Sequence, residues 1–487
     1  MATRRIAATT LAAVAAAFLL LAIPARDPRV PSTAPGARGF VWNRDSVWHA
    51  LEASFVQARA HGCANTAPAA AQIAQLGSTV DGLIKRPVAA TDPLLDTLEA
   101  RYFALAPAAA ACPVLLDGYV ALYREMREAI KWQSESWVVT DPAVADRLYR
   151  ALYGGRAAIE EVLLQQPAGM VAILPGRQEP SASPAAISHG VQLRSGDIIV
   201  SRGGYPTSAL IARGSDYPGN FSHVALVYID SATHAISVIE AHIEIGVAVS
   251  SFDRYLADKK LRLMLLRPRA DLPAVRRDPL LPHRAASAML ARAQAGHIPY
   301  DFAMDYHDPS RLFCSEVASS AYHEQGVDLW MRSSTISTPG LRRWLASFGV
   351  DHFKTQEPSD LEYDPQLVVV AEWRDGDELF RDHIDNAVTD AMLEGAERGE
   401  RLSFPWYTLP PTRLAKGYSA LLETFGRIGP VPEGMSASAA LRNRAYSARH
   451  ARLAADVRAS AEQWIAARGY RPTAWDLLDM ARAAAAK

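Results

Sequence analysis

Hydrophobic positions change their period twice along the chain, and the changes divide it into three. Between residues 40 and 166 they recur at three and four residues, as in Leu115, Tyr119, Leu122, Tyr123, Met126 and Ile130, the mark of buried helical stripes and hence of a helical domain. Residues 187–375 instead carry short β-branched and aromatic runs, which predict strands near 197–201, 222–229, 236–242, 261–266 and 367–373. Helices are expected between them at 283–295 and 314–324. The Pro- and Ser-rich stretch within residues 167–186 reads as a linker. Beyond residue 375 the helical period returns, over 379–397, 415–425, 437–468 and 473–486, with Pro405, Pro410 and Pro411 interrupting, so 376–487 is expected to be a C-terminal helical region.

The first 25 residues follow a different rule. Arg4 and Arg5 precede an apolar run over residues 6–25 that only Thr9 and Thr10 interrupt, and Arg26 and Asp27 follow it. This pattern predicts export, either by a cleaved signal peptide or by an uncleaved membrane anchor, since about twenty apolar residues suffice to span a bilayer. A cut after Ala25 would leave Ile23 at the third position back, where a small residue is usual. The expected location is the periplasm or cell envelope, free or anchored to the inner membrane. Of three cysteines, Cys63 and Cys112 fall in the N-terminal helical segment, where an oxidising compartment would let them pair; two unpaired buried thiols are the alternative. Cys314 stands apart.

That cysteine opens a predicted helix, Cys314-Ser315-Glu316-Val317-Ala318, where first-turn N–H groups and the helix dipole favour a thiolate. Such a position can lower a cysteine pKa from about 8.5 to roughly 3.5–7.5. A base is available upstream. His223 lies on the predicted strand 222–229, and Glu240 on the next, 236–242. If the hairpin loop is Ser231-Ala232, His223 sits directly opposite Glu240, with Cβ atoms about 4.5–5.5 Å apart on one face of the sheet. The carboxylate would then fix the imidazole tautomer and leave the other ring nitrogen for the thiol. Cys314 becomes the nucleophile, His223 the base and Glu240 the orienting group. The backbone N–H of Cys314 is the natural oxyanion donor.

Other chemistries find less support. His223, His234, His242, Glu244, His297 and His307 are scattered without ligand spacing, and neither HExxH nor CxxC occurs, so no metal or other cofactor is expected. Gly203-Gly204 is too short a signal for phosphate binding. A formal net charge of −1 with no basic run argues against nucleic acid as a partner.

The order of these parts, with "LRSGDIIVSRG" from Leu193, "SHVALVY", "VIEA", "YDF" and "FCSEVASSAY", resembles the permuted papain-like cysteine hydrolases of the YiiX-like, NlpC-related group. In that group the cysteine helix follows the β-strands in sequence while keeping its place in space. The resemblance covers roughly residues 187–356. It implies an α+β fold, a permuted papain-like core with an antiparallel sheet and a cysteine-bearing helix, flanked here by helical regions. It carries catalytic roles onto Cys314, His223 and Glu240, sets Tyr300 near the cleft and places Ser222 beside the histidine, although a strand-edge hydroxyl explains Ser222 as well. The implied activity is an exported cysteine hydrolase that cleaves an amide, of a cell-wall peptide or a lipid-linked substrate, through a thioester acyl-enzyme. An acyltransferase or lipid amidase of the same fold is the alternative, and an inert binding module a further one. The flanks are expected to set substrate access, partner choice or membrane placement. Within them, Phe404-Pro405-Trp406-Tyr407 is expected to pack between helices rather than to line a groove or touch lipid.

Overall fold

A computed structural model describes residues 15–16, 18–23, 30–33, 37–42, 45–166 and 173–487. The apolar run at 6–25 lies outside the described residues apart from 15–16 and 18–23. Among the described residues no helix is long and apolar enough to cross a membrane.

The predicted N-terminal stripes fold as five helices, α1 (Asp45–His61), α2 (Ala67–Ile84), α3 (Pro93–Ala111), α4 (Leu116–Ser134) and α5 (Pro142–Leu164). Their starts are set locally. Asp92 and Asp141 accept hydrogen bonds from first-turn N–H groups, and a proline follows each at a position whose N–H would have no partner. The stripe from Leu115 to Ile130 is buried in one core with Leu98, Tyr102 and Ile159. Cys63 and Cys112 form a disulfide with Cα atoms 5.5 Å apart. With its ends 49 positions apart in sequence, it restricts the unfolded chain by about 4 kcal/mol on the chain-entropy model.

The central sheet has seven antiparallel strands, drawn from β1 (Ile173–Pro175), β4 (Ile198–Gly203), β5 (His223–Ile229), β6 (Ile236–His242), β7 (Gly246–Ser251), β8 (Lys260–Pro268) and β11 (Leu367–Arg374). Their order is β1-β11-β8-β4-β5-β6-β7. Smaller pairs are β2 (Ala185–Ser188) with β3 (Val191–Arg194), and β9 (Ser334–Thr335) with β10 (Lys354–Thr355). β1 lies in the stretch predicted to be a linker; it pairs with β11 at the sheet edge, where Pro175 is tolerated.

Strand alternation gives the sheet two faces. Val200, Val224, Leu226 and Ile239 meet the helices α9 (Leu281–Ala295) and α10 (Cys314–His323) through Ala285, Met289, Val317 and Ala318. Ile199, Ala225, Val227 and Val238 face the other way, toward Leu193 of β3 and Tyr255 of α7 (Phe252–Ala257). The remaining short helices are α6 (Pro206–Arg213), α8 (Pro273–Arg277), α11 (Pro339–Phe348) and α12 (Asp360–Tyr363).

The C-terminal region supplies α13 (Gly376–Glu397), α14 (Leu409–Glu423), α15 (Ala437–Arg468) and α16 (Ala474–Ala485). Pro410 and Pro411 were expected to break this region, but they sit in the first turn of α14, where a helix needs no N–H donor. α13, α15 and α16 share a core with α6 and α11 through Leu210, Trp344, Val388, Tyr446, Val457 and Leu477. A buried ionic belt ties the three regions together. Arg156 of α5 binds Glu362 of α12 at 2.7 Å and Glu372 of β11 at 3.2 Å. Glu160 of α5 binds Arg262 of β8 at 2.6 Å, and Asp382 of α13 binds Arg202 of β4 at 3.1 Å.

Candidate active site

Cys314 is the first residue of α10 and the one free cysteine of the chain, and it is only 4% exposed. The start of its helix is held from within, since the Phe313 N–H donates to the Glu316 carboxylate at 2.8 Å. Burial is the dominant influence on the thiol and pushes its pKa up to about 12, against the pull of the Val224 and Ser315 amides and the Ser315 hydroxyl that face the sulfur. The lowered value expected of a helix N-terminus is thereby corrected: the first-turn amides act, but desolvation outweighs them. Burial thus favours the protonated sulfur at rest.

His223 and Glu240 meet as expected, by a different register. β5 and β6 pair Ala225 with Glu240, two residues away from the predicted opposition. The hairpin loop is longer than Ser231-Ala232 because Asp230 turns it, accepting from the Ala232 and Thr233 amides, with His234 in the left-handed region at φ 57°. A slip of two keeps both side chains on the same face. His223 therefore reaches Glu240 diagonally, and its Nε2 lies 2.7 Å from Oε2. Burial favours the neutral form of Glu240, but hydrogen bonds from His223 and His242 outweigh it and hold the carboxyl well below the usual carboxylate range. A carboxylate only accepts, so Nε2 of His223 carries a proton, and in the neutral imidazole Nδ1 keeps its lone pair. Nδ1 has no hydrogen-bond partner among the described residues.

Sequence reasoning missed the second donor. His242 Nε2 lies 3.2 Å from Glu240 Oε1, and the two imidazole rings lie 5.9 Å apart. Burial works against the charged form of His242, yet the Glu240 hydrogen bond and charge raise its pKa above the ordinary value. The signal was the i, i+2 spacing of Glu240 and His242, which puts both on one face of a strand. Glu357 was missed as well, and nothing in its sequence surroundings marks it. Burial and the charge of Asp360 push its carboxyl well above the usual range, and its charge would oppose a thiolate at Cys314.

The sulfur lies against the β5 backbone at Val224, one residue past His223. No hydrogen bond joins Cys314 to the imidazole among the described residues. By strand alternation the His223 and Glu240 side chains share the Ala225 face of the sheet, while α10 packs on the Val224 face; His223 stands at the strand start with 20% of its side chain exposed. Burial, with the nearby Cys314 and Asp301, raises the Tyr300 hydroxyl well above the ordinary range. Ser222 is buried, and its hydroxyl is 3.5 Å from the Ser201 carbonyl, the contact of a strand-edge residue. Among the described residues no group of three or more His, Cys, Asp or Glu side chains is arranged to hold a metal ion.

One acid on the nucleophile helix carries a pH prediction. Burial, with the charges of Asp301, Asp305 and Asp308, raises Glu316 to about 8, against the pull of the Phe313 amide. The unfolded value is about 4.3. A raised acid binds its proton in the folded state, so its contribution is complete below the unfolded value and is lost as pH climbs toward 8. Glu316→Gln copies the protonated form and still accepts from Phe313. Its advantage in thermal stability over the parent should therefore widen between pH 5 and 8.5, and parallel profiles would refute the assignment.

The chemistry and the chain order, histidine strand, then carboxylate strand, then cysteine helix, point to one class of enzyme. No curated protein and no solved structure matches the chain. Residues 192–371, which carry Cys314, His223 and Glu240, match the family model described as permuted papain-like amidase enzyme, YaeF/YiiX, C92 family, so this segment is similar to cysteine amidases of the permuted papain-like fold.

Proposed function

We propose that the chain hydrolyses an amide bond through a thioester acyl-enzyme at Cys314. The observation that carries this reading is the 2.7 Å contact of His223 Nε2 with Glu240, which leaves Nδ1 without a partner among the described residues at the start of the strand whose next residue, Val224, lies against the buried sulfur. Because burial favours the protonated sulfur at rest, His223 acts as a general base during attack rather than as half of a standing ion pair. Nδ1 takes the thiol proton as sulfur bonds to the carbonyl carbon. The oxyanion meets the Cys314 N–H at the helix start, and collapse breaks the C–N bond while the imidazolium protonates the leaving amine. Water then adds to the thioester, gives its proton to His223 and releases the acid and the thiol.

The apolar run at 6–25 and the Cys63–Cys112 disulfide favour an exported protein of the cell envelope, with a cell-wall peptide or a lipid-linked amide as substrate. Incubation with peptidyl and fatty-acyl amides in ¹⁸O-labelled water tests the reaction type. Hydrolysis yields free acid bearing one labelled oxygen. Passage of the acyl group to an added amine without release of acid would show a transferase instead.

A further inference from the structure

Exposed large apolar side chains are scattered singly over most of the described surface, as expected of any globular protein, but they gather on one face. α14 turns its apolar stripe outward. Leu414, Tyr418, Leu421 and Phe425, spaced four, three and four residues apart, are exposed, Leu414 by 66% and Phe425 by 73%. The opposite side of the helix is the buried one, through Leu409 and Ser419. Just before α14, Trp406 and Tyr407 are 60% and 58% exposed, which overturns the expectation that they pack between helices.

The same face receives the N-terminal apolar segment. Phe18 sets its ring edge on Trp406 with centroids 6.2 Å apart, and Arg413 donates to the Leu21 carbonyl at 2.8 Å. Leu19, Leu20 and Ile23 are exposed beside them. Upstream of Ala15 the sequence remains apolar back to Ile6, behind Arg4 and Arg5. A long apolar run, an outward-facing amphipathic helix, a Trp-Tyr pair and the basic Arg413 therefore converge on one patch. That combination matches the interfacial zone of a bilayer, where aromatic residues sit at headgroup level and cations meet anionic lipid. A second copy of this chain would account for a stripe but not for the run that ends beside it.

The patch also reaches the surroundings of Tyr300. Ala415, on the inner side of α14, packs with Val431 and Met435 against Ile243 and Phe302. Phe302 in turn lies 5.1 Å from the ring of Tyr300, whose hydroxyl senses Cys314.

We infer that the face formed by α14, Trp406, Tyr407 and residues 18–23 docks on a lipid bilayer surface and sets the candidate active site beside that surface. Only the second half of this statement rests on the proposed hydrolase reading. The test is Trp406 fluorescence, isolated as the difference between the full chain and its Trp406→Phe variant, on phosphatidylcholine–phosphatidylglycerol vesicles with brominated acyl chains. Docking predicts a blue shift and quenching of the Trp406 emission. Both should be lost in Leu414→Ser/Leu421→Ser/Phe425→Ser, whose far-UV dichroism and melting temperature without lipid show whether it has folded. Should the triple variant fail to fold, Trp406 quenching in the parent chain alone decides. A chain that co-floats with vesicles while Trp406 stays unquenched is held by its N-terminus alone, and the inference fails. A dimer in lipid-free buffer that the triple variant dissolves, with no quenching on vesicles, identifies a second copy as the occupant and overturns it too. Cys314→Ala should dock like the parent, so loss of the hydrolase reading would leave this result standing.

Discussion

Turnover should fall by at least about a thousandfold in Cys314→Ala, with melting temperature and far-UV dichroism close to those of the parent chain, because a nucleophile acts in a unit whose other members cannot replace it. His223→Ala should lose nearly as much. The double variant should be little worse than either single one, since both remove the same step. Glu240→Gln should retain more, by roughly a hundredfold, because an orienting group is partly replaceable. It should also change the pH profile, as the amide no longer dictates which imidazole nitrogen carries the proton. Steady-state kinetics on any amide the enzyme turns over will decide. Activity retained by either the cysteine or the histidine variant would remove the mechanism.

The largest expected effect on stability lies far from the sulfur, in the buried ionic belt. Arg156 is fully buried and holds Glu362, Glu372 and Glu160, and burial of these carboxylates is tolerated because their cations are present. Arg156→Met should cost about 3–5 kcal/mol, because it strands charge in a low-dielectric core rather than because it removes one attraction. The double change Arg156→Met/Glu362→Met should recover much of that loss. Urea unfolding of both variants measures the difference. A double variant as unstable as the single one would mean that the arginine acts by packing alone.

These two predictions differ in how far the sequence anticipated them. Local signals carried the elements: β-branched runs placed β6 at Ile236–His242, and the helical period placed α15 at Ala437–Arg468. Short or edge strands such as β1 and β7 escaped, since three to six residues hold too little period to be recognised. The His223–Glu240 contact survived a wrong register because strand alternation repeats every two residues, and the true slip is two. The thiol environment was not legible. A helix start is visible in sequence, but the burial that dominates Cys314 comes from β5 and α9 packed around it. The ionic belt was equally hidden, as its bonded pairs lie up to 216 positions apart and each member reads as an ordinary surface charge.

The link between sulfur and imidazole is most directly tested by alkylation. Since Cys63 and Cys112 are joined, iodoacetamide labels Cys314 alone, and intact mass reports the rate. Burial favours the protonated sulfur, so labelling near neutral pH requires His223 to take the thiol proton; measurable labelling there, dropping at least tenfold in His223→Ala, is the expected result. Labelling that rises only at strongly alkaline pH, with the same profile in both proteins, would show a buried thiol with no base beside it and would contradict the account.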